Sequence, residues 1–523
     1  MTMRINSKVL SFISIVYIYI PIALFLFGWT NKIVAIVTSI AIAFCAFRLF
    51  RSLMRDTTDT DDIRYNLAAL VFAFLLFCWV GYYAGWGRWV TQTGDWHKHN
   101  AVLYDLINKR WPVLYRNGEE HSMLSYYIGF YLVPALAGKL THSVRAAEKV
   151  MYLWGVSGLM LVYLNLVCCI RARENVMQIL SAIMIPFFGI PLWLSELVLK
   201  RVADINRLGQ TQWFYFSDDI RLQYSNNFTL LAWVVPQVIA CWLTMILFFR
   251  HKDKIESYLL LMLPAMLMGI LSFLGIVPIA MAYAMEWGIK NKDIKVFLGK
   301  IFSVDNILML LTQGSVLFLY YYGNIFLKKP KQVSLRRIDY GPDTRILFIV
   351  FVVVNILIYA AIFWRDHKTD LIYYSAFATL IILPAFNMGR FNDLMMRTSI
   401  PGLLVLMVYV LEFIGKYMVQ GSGERVSPNI ASRIFTSVSE VIVVVLVLVG
   451  MYYSFLEFSQ SVTDEKYGEL GKKTEWETME VYANRSKKVS NDCKYNYFAY
   501  DIDDNLFYKY IMDKPDKGEA VNE

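Results

Sequence analysis

Three polar segments in an otherwise apolar chain hold residue types that can do chemistry. The richest is GRWVTQTGDWHKHNAVLYDLINKRWPVLYRNGEEHS, residues 87–122, with His97, His99 and His121 among six histidines in all, and with Trp89, Trp96 and Trp111. Val102, Leu103, Leu106 and Ile107 recur at helical spacing, which predicts an amphipathic helix over 96–110. With tryptophans suited to the headgroup layer, such a helix is expected to lie along the outer membrane surface. Asp95 stands at its N-terminus. One reading makes Asp95 an N-cap. The other makes it a general base at the water–membrane boundary. A helix N-terminus also attracts anions, and Lys98, His97 and His99 add positive or proton-carrying groups within one turn. A base beside an anion site suits an enzyme that deprotonates a hydroxyl next to a phosphate leaving group. Asp105 and Lys109, four apart, are expected as a surface pair. His97 and His99, two apart on a helix, diverge, which argues against a shared metal.

The second segment is FNMGRFNDLMMRTSIP, residues 386–401. Arg390 and Arg397 are seven apart and are expected on one helix face. They read as a clamp on a lipid phosphate, or as arginines that snorkel at the interface. Asn392 and Asp393 would orient them or read a sugar. The third segment, FSDDIRLQYSNN at 216–227, offers Asp218 and Asp219 as ligands or as a solvated turn. Just beyond it, Pro236 predicts a kink and Gln237 a buried polar group lining a cavity. Asp501-Ile502-Asp503 resembles a metal-binding DxD, but no α/β domain surrounds it. GxGxxG and GxxxxGK[ST] are both absent, so no nucleotide site is expected.

The elements that must position these residues are membrane helices. Of 523 residues, 57% are hydrophobic and 18% charged, against about 25% charged in soluble proteins. About 13–14 apolar runs are long enough to cross a bilayer by the 20-residue criterion. The expected fold class is all-α: a polytopic helical membrane protein, with amphipathic helices in the first large outer loop and a small C-terminal outer tail. Its expected parts are a transmembrane domain over 1–455, with 87–122 as the catalytic outer loop, and an extracytoplasmic tail over 456–523. The net charge is +9, with the tail at −5 and the rest at +14. That distribution is a positive-inside bias, not a nucleic-acid surface. Arg4, Lys8, Arg64 and Arg250–Lys254 then lie inside, and loop 87–122 and the tail outside. Three runs, near 123–140, 150–170 and 177–195, separate two outer loops where an even number is needed. Pro186, Gly189 and Pro191 mark 177–195 as the broken one. The basic run Lys328–Arg337 falls outside against the charge rule. Six cysteines include no CxxC pair, so neither a disulfide frame nor a zinc site is expected.

With those residues and elements assembled, the chain resembles the GT-C class of polytopic glycosyltransferases. GDWHKHNAVLYDL is similar to that class's early acidic residue in a first large outer loop, with Asp95 in the catalytic carboxylate's place. GRFNDLMMRTSIP is similar to the Arg-containing segment ending in Pro that precedes a late span in lipid-sugar transferases. The resemblance is architectural over most of residues 1–455. It implies a polyprenyl-phosphate-linked sugar donor, a glycan or lipid acceptor of the cell envelope, and a multi-pass location in a bacterial plasma membrane. It also implies that Asp95 is the base, while Lys98, Arg390 and Arg397 stabilise the departing phosphate. His97, His99 and Gln237 complete the expected substrate-binding set. The class often carries a second acidic residue, here Asp105 or Glu119/Glu120, which leaves a divalent metal as an open expectation; no cofactor is required by the sequence. Two other classes compete. A transporter or lipid flippase explains the spans and buried polar groups, though no internal repeat supports it. An O-antigen-type polymerase or ligase would use outer arginines and histidines without Asp95.

Overall fold

The computed structural model describes residues 1–55, 63–90, 92–117, 120–203, 214–217, 220–325, 335–342, 344–389, 392–419, 430–463, 476–486, 497–499, 502 and 505–514. The protein is an all-α polytopic membrane protein. Among the described residues, seven helices are long and apolar enough to cross a membrane, or eight with one bent pair counted as a span. Four shorter apolar helices, Leu67–Tyr83, Val235–Arg250, Ile255–Met268 and Leu371–Ala385, accompany them. Several of the 13–14 runs counted by length thus fold as helices too short to span alone. Ile400–Val419 lies at the centre of the bundle, mostly buried, and Lys32–Arg55 at the edge, mostly exposed.

The chain starts with β1 (Thr2–Ile5), which pairs antiparallel with β2 (Ile63–Asn66). Each strand runs into an asparagine cap. Asn6 caps α1 (Ser7–Trp29), and Asn66 caps α3 (Leu67–Tyr83), each side chain accepting two backbone N–H groups. Between them runs α2 (Lys32–Arg55). The strand pairing therefore puts the N-terminus on the same side as Arg64 and the start of α3. The loop helix α4 (Trp96–Asn108) is followed by β3 (Leu114–Asn117) and β4 (Glu120–Leu124), then α5 (Gly129–Thr141) and α6 (Val144–Cys169). Next come α7 (Asn175–Phe187) and α8 (Leu192–Ala203), bent by 60° about the Pro191 break. Then α9 (Asn227–Trp233) leads directly into α10 (Val235–Arg250). Arg250 donates to the Ser7 carbonyl at 2.8 Å, and Gln178 to the Arg64 carbonyl at 3.0 Å. The starts of α1 and α7 and the end of α10 therefore share the side that the charges assign to the inside.

The odd crossing resolves at α5 rather than at 177–195. With 13 residues, α5 is about 20 Å long, against a hydrocarbon core of about 30 Å. Both its flanks touch the outer loop. Leu124 before it pairs with Phe498 of the tail, and Lys139 near its end donates to the Lys109 carbonyl at 2.6 Å. Arg145, opening α6, donates to the Gly87 carbonyl at 2.9 Å. The run 123–140 thus begins and ends beside the same outer loop, leaving two crossings between the outer loops. Of the basic run Lys328–Arg337, Arg336 and Arg337 pair with Asn387 and Phe386, and residues 328–334 lie outside the described residues.

The described tail is packed onto the membrane domain. Asn31 donates its side-chain amide to the carbonyls of Tyr510 and Ile511, both at 3.1 Å, while Phe498–Ala499 extends the β3–β4 sheet. A topology test follows. In a cysteine-free background, an impermeant maleimide should label Glu480→Cys in intact cells. It should reach Lys295→Cys, on the Arg250 side, only after lysis. The reverse pattern would overturn the arrangement.

Candidate functional site

Loop 84–99 is fixed by a break in the helix facing it. Pro236 has no N–H, so the carbonyl of Ala232 four residues earlier has no helical donor. The chain kinks at Val234, and the last carbonyls of α9 turn to the loop instead. Trp86 Nε1 donates to Leu231 O at 3.0 Å, and Trp96 Nε1 and Thr93 Oγ1 donate to Ala232 O at 2.8 and 3.2 Å. His99 Nε2 lies 2.9 Å from Trp233 O. A slot of small residues admits Trp86: a methyl on Gly155 would meet its ring at 2.5 Å. Gly85, at φ +87°, makes the turn into the loop.

Asp95 is not an N-cap. Its backbone is already helical and its side chain caps nothing. Its Oδ2 instead accepts from Lys98 Nζ at 2.6 Å, one turn on. The carboxylate is a third open to solvent, while Lys98 behind it is buried. Burial favours the neutral acid, but the charge and hydrogen bond of Lys98, with a smaller pull from Arg397, hold Asp95 below the usual carboxylate range. Burial likewise works against the Lys98 ammonium, and Asp95 reverses the balance.

His99 is a strut rather than a proton carrier or ligand contact. Burial, then Lys98, push its imidazole down to about 3, so it is neutral. The Trp233 carbonyl can only accept, which places the ring proton on Nε2 and leaves Nδ1 to accept from the Tyr131 hydroxyl. His97 is half-buried and points away from the face shared by Asp95, Lys98 and His99. Gln237 is buried against Gly269, four residues beyond Trp233, and is not among the groups that contact Asp95 or Lys98.

The second arginine segment does reach this place. Its helix spans Asp393–Thr398, and Arg390, expected on one face with Arg397, lies outside the described residues. Asn392, buried and left-handed at φ 55°, locks the turn by donating to Arg221 O and Phe386 O at 2.9 and 3.1 Å. Arg397 then pairs with Asp393 at 3.1 Å and lies 5.5 Å above the Tyr127 ring. Burial opposes its charge, but Asp393, Tyr127 and Asp95 keep it protonated. Tyr127 feels Arg397, Lys98, Asp95 and Asp393 together. It was invisible in the sequence, where it sat inside an assumed span. Tyr497 of the tail also faces Lys98 and Asp95.

Asp105 is not on the surface. It is fully buried and accepts from the Tyr115 hydroxyl at 2.7 Å and the Met479 N–H at 2.9 Å, tying the tail to α4. Lys109 faces Glu480 instead. The α4 helix as a whole lies between α5 and the tail, not along an open surface. Asp218, Asp219, Cys493, Asp501 and Asp503 lie outside the described residues. Among the described residues, no group of three or more His, Cys, Asp or Glu side chains is placed to hold a metal ion. No protein-family model, curated protein or solved structure matches the chain.

Burial pushes the Asp105 carboxyl up to about 6, against the bonds from Tyr115 and Met479. A raised acid stabilises the fold fully below its unfolded value and loses that contribution as pH rises through the folded one. Thermal stability linked to tail docking should fall between about pH 4 and about pH 6, by roughly 3 kcal/mol at most. Asp105→Asn should flatten that slope in a series of Tm measurements. An unchanged slope would assign it to another group.

Proposed function

We propose that this membrane protein is a glycosyltransferase that moves a sugar from a polyprenyl-phosphate-linked donor to a cell-envelope glycan or lipid acceptor at the outer face, as in the GT-C class. The observation that carries the reading is Asp95: partly open, freed from capping, and within reach of the charges of Lys98 and Arg397. Asp95 takes the proton of the acceptor hydroxyl. That oxygen attacks the anomeric carbon, and the bond from carbon to the phosphate oxygen breaks with its electron pair leaving on the polyprenyl phosphate. Lys98 and Arg397 balance the charge gathered there, and Arg390 remains a candidate from the sequence alone. A plasma-membrane location fits the sidedness, because such donors present their sugars at the outer face while the basic connections stay inside.

The alternatives separate cleanly. Losing a positioned general base costs about 10²–10⁴-fold in rate. Asp95→Asn keeps an oxygen for Lys98 and should fold, bind donor and transfer sugar slower by that factor. Arg397→Ala should chiefly raise KM for the donor, since it removes a phosphate contact. Both are read by transfer of radiolabelled sugar from a panel of polyprenyl-phosphate sugars with purified protein. Full activity of Asp95→Asn would favour an arginine-based polymerase or ligase. No transfer by the wild type from any donor would favour a flippase.

A further inference from the structure

The site contains two ion pairs built on the same plan. Asp95 precedes Lys98 by three residues and Asp393 precedes Arg397 by four, each pair on one helical face. In both, the carboxylate is the open member and the cation the hidden one. Side-chain exposure is 33% for Asp95 against 9% for Lys98, and 32% for Asp393 against 14% for Arg397. Tyr127 stands among all four charges. The arrangement is neutral as it stands, and an approaching phosphate meets two carboxylates before any cation. A carboxylate already satisfied by an ammonium at 2.6 Å is also a poor base. Two difficulties, a hidden anion site and a masked base, thus share one cause.

We infer that the donor phosphate exchanges partners with the two carboxylates, drawing Lys98 from Asp95 and Arg397 from Asp393, so that Asp95 becomes an effective base only in the donor-bound site. Lys98 then masks the base until donor arrives and afterwards contacts the phosphate, while Asp393 is a positioning residue that holds the guanidinium ready. This rests on the glycosyltransferase reading above. The charge balance supports it. A donor phosphodiester brings one negative charge into a neutral quartet, which favours a proton on a carboxylate. The acceptor hydroxyl supplies that proton as its oxygen bonds to the anomeric carbon. The second negative charge left on the polyprenyl phosphate stays between Lys98 and Arg397. The other ionisable groups facing Asp95 do not replace Lys98. His99 is neutral and doubly bonded, and Tyr127, Tyr131 and Tyr497 are phenols whose ionisation burial disfavours.

The test uses the full chain in nanodiscs, with polyprenyl phosphate as the probe. Carbodiimide couples to protonated carboxyls, so peptide mass mapping of Asp95 modification against pH reports its ionisation. Added polyprenyl phosphate should raise the midpoint by about one pH unit or more, the change that loss of one close opposite charge makes. Lys98→Gln should start at the raised midpoint and shift no further, and Lys98→Arg should restore the masked value. Asp393→Asn, which removes a competitor for Arg397, should bind polyprenyl phosphate more tightly than wild type. This keeps the inference open to refutation if Lys98→Gln does not fold. Bound probe with an unmoved midpoint, or Asp393→Asn binding no tighter, overturns the exchange and leaves the transferase reading standing. Failure of the wild type to bind polyprenyl phosphate overturns the donor class, and the exchange with it.

Discussion

Pro236 cannot donate a hydrogen bond, and the placement of the whole outer loop depends on that missing N–H. Where α9 would continue, three successive carbonyls at Leu231, Ala232 and Trp233 need partners from elsewhere. Trp86, Thr93, Trp96 and His99 supply them, so one kink in a membrane helix fixes four residues over fourteen positions of loop. The start of α4 is then set in space, and with it the face carrying Asp95 and Lys98. In apolar surroundings an unpaired carbonyl is costly, which is why so short a contact can hold a loop.

A second constraint is electrical. The region around Tyr127 is too crowded to hold a lone charge, yet it gathers four ionised groups. Opposite charges one turn apart make this tolerable, and the pairing of Asp95 with Lys98 is matched by that of Asp393 with Arg397. The two pairs come from segments nearly three hundred residues apart. Asn392 makes the second pair fit, because its left-handed backbone and three-way bonding aim the short helix at the loop. The tail closes the same region through Asp105 and the strand at Phe498, so residues from the start, middle and end of the chain meet at one outer patch.

The all-α membrane architecture, the gathering of Arg64 and Arg250 on one side with the N-terminus, the helix after Asp95 and the break at Pro191 were legible in the sequence. Each depends on local composition: apolar length, lysine and arginine placement, helical period, proline. Asp95, Lys98 and Arg397 could be nominated because charged groups beside a membrane surface are few. Their pairing was not legible, nor was the neutrality of His99, because both are set by what lies opposite. Run length also misread 123–140, since a short helix buried among its neighbours has the same apolar composition as one that crosses. Tyr127 was hidden by that misreading. Asp105 and Lys109 had the spacing of a surface pair, and only the tail packed above them, contributed from 374 residues further along, put one inside. Periodicity reports which face of a helix is apolar. What covers that face, and which charge answers which, is decided by contacts between distant segments, and these leave no local trace in the chain.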